Sequence, residues 1–290
     1  MTVSVALGHA TRYRYERPVA FGPHEIRLKP VPACRTPVLS YSLAVRPARH
    51  TLHWSTDAAG NHVARAVFAE RSARLDIEVD LAVELAQANP FDFLVEPAAE
   101  RYPVGYGAAA LPDLAPFLAA AENGVRLRDW LAALRASVKP DGRNTVELLV
   151  DLNARTQREI GYVTRLEHGV QACEETLALR SGSCRDSGWL LVQVLRHLGI
   201  AARFVSGYLV QLSGGAPDAP AADSVDLHAW AEAYLPGAGW IGFDPTSGML
   251  TAECHVPLAR AATPALAAPL TGSVEPARSE MEVSMTVRRL

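Results

Sequence analysis

The chain has 290 residues, of which 49% are hydrophobic and 20% are charged. This balance excludes a disordered chain, and the length allows two domains that each bury a core. A net charge of −3 gives no basic surface for nucleic acid, and no apolar stretch reaches the roughly 18 residues of a membrane helix. The N-terminal segment MTVSVALGHATRYRYERP lacks the basic start of a signal peptide, so we expect a cytoplasmic protein.

Residues 1–100 predict a β-rich N-terminal domain. In ARLDIEVDLAVEL, at 73–85, apolar side chains alternate with mostly polar ones, which is the period of a strand with one buried face. Shorter segments of the same character are separated by turn signals such as DAAGNH at 57–62. Short strands divided by such turns are typical of an antiparallel β-sandwich or barrel.

The period changes after the Pro- and Gly-rich stretch at 89–116, where we place a domain boundary. Apolar residues recur at helical spacing in VRLRDWLAALRASV (125–138) and TVELLVDLNARTQREI (145–160). These segments predict a second, α+β domain over 101–258. The remaining residues, 259–290, form an Ala- and Pro-rich segment that ends in a last alternating strand.

The chain has four cysteines, and they are spread widely without any C-x-x-C pair. Zinc binding and thioredoxin-like redox chemistry are therefore not expected, and cytosolic thiols stay reduced, so each cysteine is judged alone. Cys173 is interpreted as a core residue. The adjacent Cys254 and His255 match no zinc spacing, so no metal site is predicted.

Cys184 differs from the other cysteines because it lies in RSGSCRDSGW, at 180–189. The small residues before it interrupt one helix and start the next, with Ser183 as N-cap and Asp186 completing a capping box. Cys184 is then the first residue of a buried helix, where free backbone N–H groups and Arg185 favour a thiolate. The same N–H groups are expected to receive the oxyanion of an attacked carbonyl. The alternative is a buried structural cysteine, although a helix start alone does not require a thiol.

A base and a carboxylate follow in DLHAWAEAYL (226–235) and WIGFDPT (240–246). Both segments alternate, and the PGAG turn between them predicts an antiparallel pair. His228 and Asp244 share a face if a five-residue loop pairs Trp230 with Asp244, and lie on opposite faces if the loop has four residues. In the first register the carboxylate fixes the imidazole tautomer and leaves the other ring nitrogen for the thiol.

Three segments resemble the core of the transglutaminase-like superfamily of cysteine enzymes: ETLALRSGSCRD, LLVQVLRHLGIAARFVSGYL and LHAWAEAYLPGAGWIGFDPT. The N-terminal half, with YRYERPVAFGPHEIRLKP and DAAGNHVARAVF, resembles the β-rich domain that precedes this core in a bacterial family. The resemblance implies a papain-like α+β core with Cys184 as nucleophile, His228 as base and Asp244 as the residue that orients the base. It implies no cofactor.

Two departures from the family pattern stand out. After HVPLARA (255–261) the family usually continues with Gly-Arg-Asp-Tyr, where this chain has AATPALAAPL, and Ser187 and Gly188 replace bulkier residues.

Further candidates for the cleft come from the residues near this group. Asp186 is interpreted as a capping carboxylate, while Arg185 either enters the cleft or lies on the surface. Tyr162 and Tyr208 are candidate donors to an oxyanion, with a buried, satisfied hydroxyl as the alternative. Trp230 shares the face of His228.

These features predict a hydrolase or acyl transferase that forms a thioester on Cys184 from an amide or peptide bond. Hydrolysis and transamidation share that first step, and the absence of a calcium-loop pattern favours a peptidase or amidase over protein cross-linking. The expected partner is a peptide or protein amide, without nucleic acid or membrane, and the sequence indicates no oligomeric state. The alternative is a non-catalytic protein-interaction module that retains the scaffold.

Overall fold

A computed structural model describes residues 2–32, 34–214 and 221–290. The described chain is a mixed α+β structure, which is the predicted fold class. A surface loop, predicted from the small residues of 213–225, falls partly outside these ranges. None of the described helices is long and apolar enough to cross a membrane.

The helices and strands follow one another along the chain in three groups. The N-terminal strands are β1 (Thr2–Val19), β2 (Phe21–Ile26), β3 (Val38–Arg46), β4 (His50–Thr56), β5 (His62–Phe68) and β6 (Ser72–Ala86). The central elements are α1 (Leu111–Leu118), α2 (Val125–Val138), α3 (Thr145–Glu159), β7 (Gly161–Tyr162), α4 (Cys173–Leu179), β8 (Ser181–Gly182) and α5 (Cys184–His197). The last strands are β9 (Ala202–Gln211), β10 (Ser224–Leu235), β11 (Gly239–Asp244), β12 (Met249–Leu250), β13 (His255–Ala261), β14 (Leu270–Val274) and β15 (Ser279–Arg289).

Two antiparallel sheets form the N-terminal region, with strand orders β15-β1-β6-β3 and β14-β2-β5-β4. The alternation in ARLDIEVDLAVEL is confirmed as β6, which pairs with β1 on one side and β3 on the other. Its apolar side chains are buried in one cluster with residues of β2 and β5, so the two sheets share a core. An alternation of apolar and polar residues along a strand places the apolar ones on one face, and here that face is buried between the two sheets.

The C-terminal residues return to the N-terminal sheets. The predicted last strand is confirmed as β15, which pairs with β1 from Val5–Arg289 to Tyr15–Ser279. The preceding strand β14 pairs with β2, although LTGSV shows no alternation. Its small and polar residues lie at a sheet edge, where little burial is demanded, so no period marked it in the sequence.

The central region is built on the sheet β12-β11-β10-β9-β13, with α5 packed against β10 and β9. The predicted helices are confirmed as α2 and α3. Helix α5 is buried along almost its whole length, and the face of β10 that it covers carries Ala229, Ala231 and Ala233. These small side chains let the helix approach the strand closely, which fixes the position of Cys184 relative to β10.

The N-terminal region is joined to the central sheet by apolar and polar contacts. Tyr208, Val256 and Leu258 of the central sheet belong to the same buried cluster as the N-terminal strands. Asn61 donates to the Arg260 carbonyl at 2.9 Å and accepts from the Arg260 N–H at 2.8 Å. Because reciprocal bonds of this kind fix both distance and direction, the two regions have a defined relative position.

Two glycines of the central region provide a matched test of this packing. A Cβ at Gly207 would lie 2.4 Å from the Val256 carbonyl oxygen and 2.5 Å from the Trp230 ring, whereas at Gly188 the nearest atoms are 3.5 Å away. Gly207→Ala should lower the free energy of unfolding by about 1–3 kcal/mol through overpacking. Gly188→Ala should leave it unchanged or raise it by up to about 1 kcal/mol, since alanine favours the helix. Urea denaturation measures both, and equal stability of the two variants would contradict this account.

Candidate active site

Cys184 begins α5 at a capped helix N-terminus. The Ser183 N–H donates to Asp186 Oδ2 at 2.8 Å, so the predicted capping interaction is present. The first N–H groups of a helix have no partner within the helix, and Cys184 stands among them. Cys184 is 8% exposed and belongs to the hydrophobic core, so it does not lie on the open surface.

Asp186 contacts more groups than a capping residue needs. It is fully buried and also accepts from the Gln171 N–H at 2.7 Å and from Arg165 Nε at 3.0 Å. The charge of Arg165 compensates the buried carboxylate, because an unpaired buried charge is costly. Asp186 thus ties residues 165–171 to the start of α5, and this ion pair was not predicted from the sequence.

Arg185 is the second residue of α5, and Tyr162 pairs with Gly182, two residues before the helix begins. Arg185 donates to the Arg165 carbonyl at 2.9 Å, so its guanidinium is anchored on the neighbouring chain segment. Burial raises the pKa of Tyr162, Cys184 raises it further, and Arg185 opposes this shift. These influences place Tyr162, which is 60% exposed, within electrostatic range of Cys184 and Arg185.

His228 and Asp244 are brought together by the register of β10 and β11. Ala231 pairs with Phe243 and Tyr234 with Trp240, which is the register that the five-residue loop predicts, and pairing of Leu235 with Gly239 shortens the loop itself to three residues. His228 Nε2 lies 3.1 Å from Asp244 Oδ2, and both side chains are buried.

The ionisation of His228 is set by its two neighbours. Burial lowers the pKa of His228, but hydrogen bonds with Asp244 and Cys184, together with their charges, outweigh burial and raise it to about 10. Since Nε2 faces Asp244, the other ring nitrogen remains for Cys184. The raised pKa favours an imidazolium at neutral pH beside the Asp244 carboxylate.

The Asp244 carboxylate is held by several donors. Thr246 donates to Oδ1 through its N–H at 2.9 Å and its hydroxyl at 2.7 Å, and Ser247 donates to Oδ2 at 3.1 Å. His255 Nε2 lies 3.4 Å from Oδ2. Burial raises the pKa of Asp244, but the bonds from His228, His255 and Thr246 and the charge of His228 hold it well below its ordinary value.

Two of the cleft candidates have different surroundings. Trp230 is buried and stacks on His228 with ring centroids 6.3 Å apart, so it shields the imidazole from water. The Tyr208 hydroxyl bonds His9 Nδ1 at 2.8 Å, and burial raises the pKa of Tyr208 far above its ordinary value. That hydroxyl is engaged by strand β1, and the structure does not bring it to Cys184. Neighbouring strand residues face opposite sides of a sheet, and it is Gly207, not Tyr208, that pairs with His228.

The other three cysteines have different surroundings from Cys184. All four, which lie within the described residues, are free thiols. Burial raises the pKa of Cys34, and it raises the pKa of Cys173 well above its usual range. Burial, together with the charge of Glu253, raises the pKa of Cys254 to about 11. Cys173 lies in the hydrophobic core, as the sequence suggested.

His255, Thr246 and Ser247 are the members of this group that the sequence analysis did not select. Thr246 belongs to the DPT segment, in which only Asp244 has a predicted role. His255 was considered only as half of a zinc pair with Cys254, and its approach to Asp244 depends on β13 pairing with β9, which no local signal predicts. His228, Asp244 and His255 offer nitrogen and oxygen atoms within 4.8 Å of one another, a ligand set of the zinc type.

Two family models match the chain. The bacterial transglutaminase-like N-terminal region matches residues 5–84, and the transglutaminase-like superfamily core matches residues 132–245. The chain therefore belongs to the transglutaminase-like superfamily and carries the N-terminal region of its bacterial members.

The chain is also similar to individual proteins. Uncharacterized protein Rv2569c of Mycobacterium tuberculosis is 28% identical over 274 residues, spanning 92% of this chain and 86% of that protein. A protein-glutamine gamma-glutamyltransferase of Pseudomonas aeruginosa is 39% identical over 67 residues, which is 23% of this chain and 10% of that enzyme. The solved structure of "a Putative Cysteine Protease from Cytophaga hutchinsonii" covers 100% of this chain and 91% of its own, with TM-score 0.73 and 18% identity, and shows a common fold.

The raised pKa of His228 predicts a pH-dependent stability. A group whose pKa rises on folding stabilises the protein fully below its unfolded value, here 6.5, and this contribution is lost as the pH rises through about 10. The difference in free energy of unfolding between the wild type and His228→Gln should therefore shrink from pH 6.5 to pH 10. Urea denaturation across this range measures it. In a Cys184→Ala background the pH effect should be smaller, because one cause of the shift is removed; a difference that stays constant with pH would contradict the ion pair.

Proposed function

We propose that this chain is a cysteine-dependent amide or peptide bond hydrolase or acyl transferase that uses Cys184, His228 and Asp244. Membership of the superfamily supports a cysteine-dependent enzyme in general, and the transglutaminase-like fold suggests a peptide or protein substrate. The observation that carries the finer proposal is His228, which bonds Asp244 on one side and interacts with Cys184 on the other. This is the arrangement of a nucleophile, its base and the group that orients the base.

In the proposed first half-reaction, His228 holds the proton of the Cys184 thiol and the thiolate attacks the carbonyl carbon of an amide. The carbonyl oxygen becomes an oxyanion, which the free N–H groups at the start of α5 stabilise. The carbon–nitrogen bond then breaks, the nitrogen takes the proton from His228 and leaves as an amine, and the acyl group remains on sulfur as a thioester. Asp244 keeps the imidazole oriented throughout.

The second half-reaction determines the net activity. Water, deprotonated by His228, gives a carboxylic acid, whereas an amine gives a new amide, and either releases the thiolate. We propose that water is the acceptor, which makes the protein a peptidase or amidase. We also propose that the protein is cytoplasmic, as the sequence predicts. The scaffold alternative, a protein-interaction module without catalysis, predicts an unreactive Cys184 and is tested by the same experiment.

Cys184 should react with iodoacetamide at pH 7 faster than Cys34, Cys173 and Cys254, because burial raises the pKa of those three thiols. His228→Gln should slow the alkylation of Cys184 by about 10²-fold through loss of the base. Mass spectrometry of the four cysteine peptides measures each rate, and Cys254→Ser is the matched control that should leave Cys184 unchanged. A Cys184 rate equal to that of free cysteine, unaffected by His228→Gln, would favour the non-catalytic scaffold.

Product analysis separates the two second half-reactions. Incubation with a glutamine-containing peptide and an excess of a primary amine should give cleaved or deamidated peptide and little amine adduct. Cys184→Ala should abolish all products, and Asp244→Asn should reduce the rate by about 10²–10⁴-fold because the imidazole adopts the wrong tautomer. An amine adduct as the main Cys184-dependent product would identify a transglutaminase instead.

A further inference from the structure

His255 lies against the same carboxylate oxygen as His228. Its Nε2 is 3.4 Å from Asp244 Oδ2, and its side chain is only 11% exposed. The ring lies edge-on to Trp230, with centroids 5.3 Å apart, and 6.0 Å from the ring of His228. The contact is thus part of a packed group in which the orientation of His255 is restricted.

The backbone determines which nitrogen of His255 carries the proton. The N–H of Ala252 points at His255 Nδ1 across 3.4 Å, so Nδ1 acts as an acceptor. In a neutral imidazole the other nitrogen is then the donor, and Nε2–H points at Asp244. His255 is therefore set as a neutral donor to Oδ2, and this donor does not depend on the proton that His228 exchanges.

Asp244 requires such a donor during the proposed reaction. When His228 passes its proton to the leaving nitrogen, it loses the positive charge that compensates the buried carboxylate. Thr246 holds Oδ1, so Oδ2 in that state keeps only the uncharged Nε2–H of His228 together with the donors of Ser247 and His255. A fixed donor keeps Oδ2 ionised and in place for the next proton transfer.

We propose that His255 is a positioning residue, which donates from Nε2 to Asp244 Oδ2 and so holds the carboxylate that orients His228. This inference rests on the proposed function of Cys184, His228 and Asp244. A zinc-type cation bound by the two histidines and Asp244 is the rival use of the same atoms. It would need a lone pair on His255 Nε2, and the contact between the Ala252 N–H and Nδ1 opposes that tautomer.

The test compares His255→Leu with His255→Gln in the full chain. Glutamine retains an N–H donor where Nε2 stands, whereas leucine fills similar space without one. The Cys184 alkylation rate with iodoacetamide should fall by about tenfold in His255→Leu, the effect of one lost hydrogen bond to a charged group, and should recover in His255→Gln. Urea denaturation gives the free energy of unfolding of both variants. A donor role predicts that the alkylation rate differs between them even where this free energy is the same.

Several outcomes would overturn the inference. An alkylation rate in His255→Leu equal to that of the wild type would remove His255 from the mechanism, and equal losses in Leu and Gln variants would refute the donor role. If the wild-type Cys184 is itself no faster than free cysteine, the proposed function fails and this inference fails with it, which is a distinguishable result.

Heteronuclear NMR of the imidazole nitrogens tests the wild-type protein directly, independently of any variant. His255 should be protonated on Nε2 and unprotonated on Nδ1. The opposite tautomer would overturn the inference, as would loss of the Nε2 proton when stoichiometric zinc is added.

Discussion

The arrangement of the site depends on keeping one buried carboxylate ionised. Asp244 is 1% exposed, and an isolated charge in such a place would take up a proton instead. Its ionisation therefore requires donors from several parts of the chain: Thr246 and Ser247 from the turn after β11, His228 from β10 and His255 from β13. All of these elements have to bring a donor to the same carboxylate. The need to keep Asp244 ionised therefore restricts the relative positions of β10, β11 and β13.

The approach of helix α5 to that sheet is the second constraint. Helix α5, which begins at Cys184, can lie close to β10 because the face of β10 that it covers carries alanines. The polar contacts at the helix start, from Asp186 to Arg165 and to the Gln171 N–H, hold the adjacent segment in position without using Cys184. The thiol thus stands at the start of a helix whose N-terminus is capped and tied to the preceding segment by Asp186.

Sequence reasoning succeeded where the interaction is local in the chain. The capping of α5, the helices α2 and α3 and the alternation of β6 follow from spacings of two to four residues. It left two registers for β10 and β11, because the PGAG turn permits two loop lengths. Contacts between distant segments left no local signal: Tyr208 meets His9 across 199 positions, and β14 joins β2 through small edge residues. Of the side chains around Asp244, the sequence predicted only His228 as its partner, and the contacts with His255 and Ser247 were not predicted.

The N-terminal region contributes to the geometry of the site through strand β13. Thr36 donates to the Glu253 carbonyl at 3.1 Å, and the Val31 N–H donates to the Pro257 carbonyl at 3.0 Å. These acceptors lie two residues before and two residues after His255, so the chain between β2 and β3 holds the strand on both sides of that histidine. The β-rich N-terminal region thereby restricts the position of the imidazole that contacts Asp244. One side-chain and one backbone hydrogen bond thus join the N-terminal region to the segment that supplies His255 to the carboxylate.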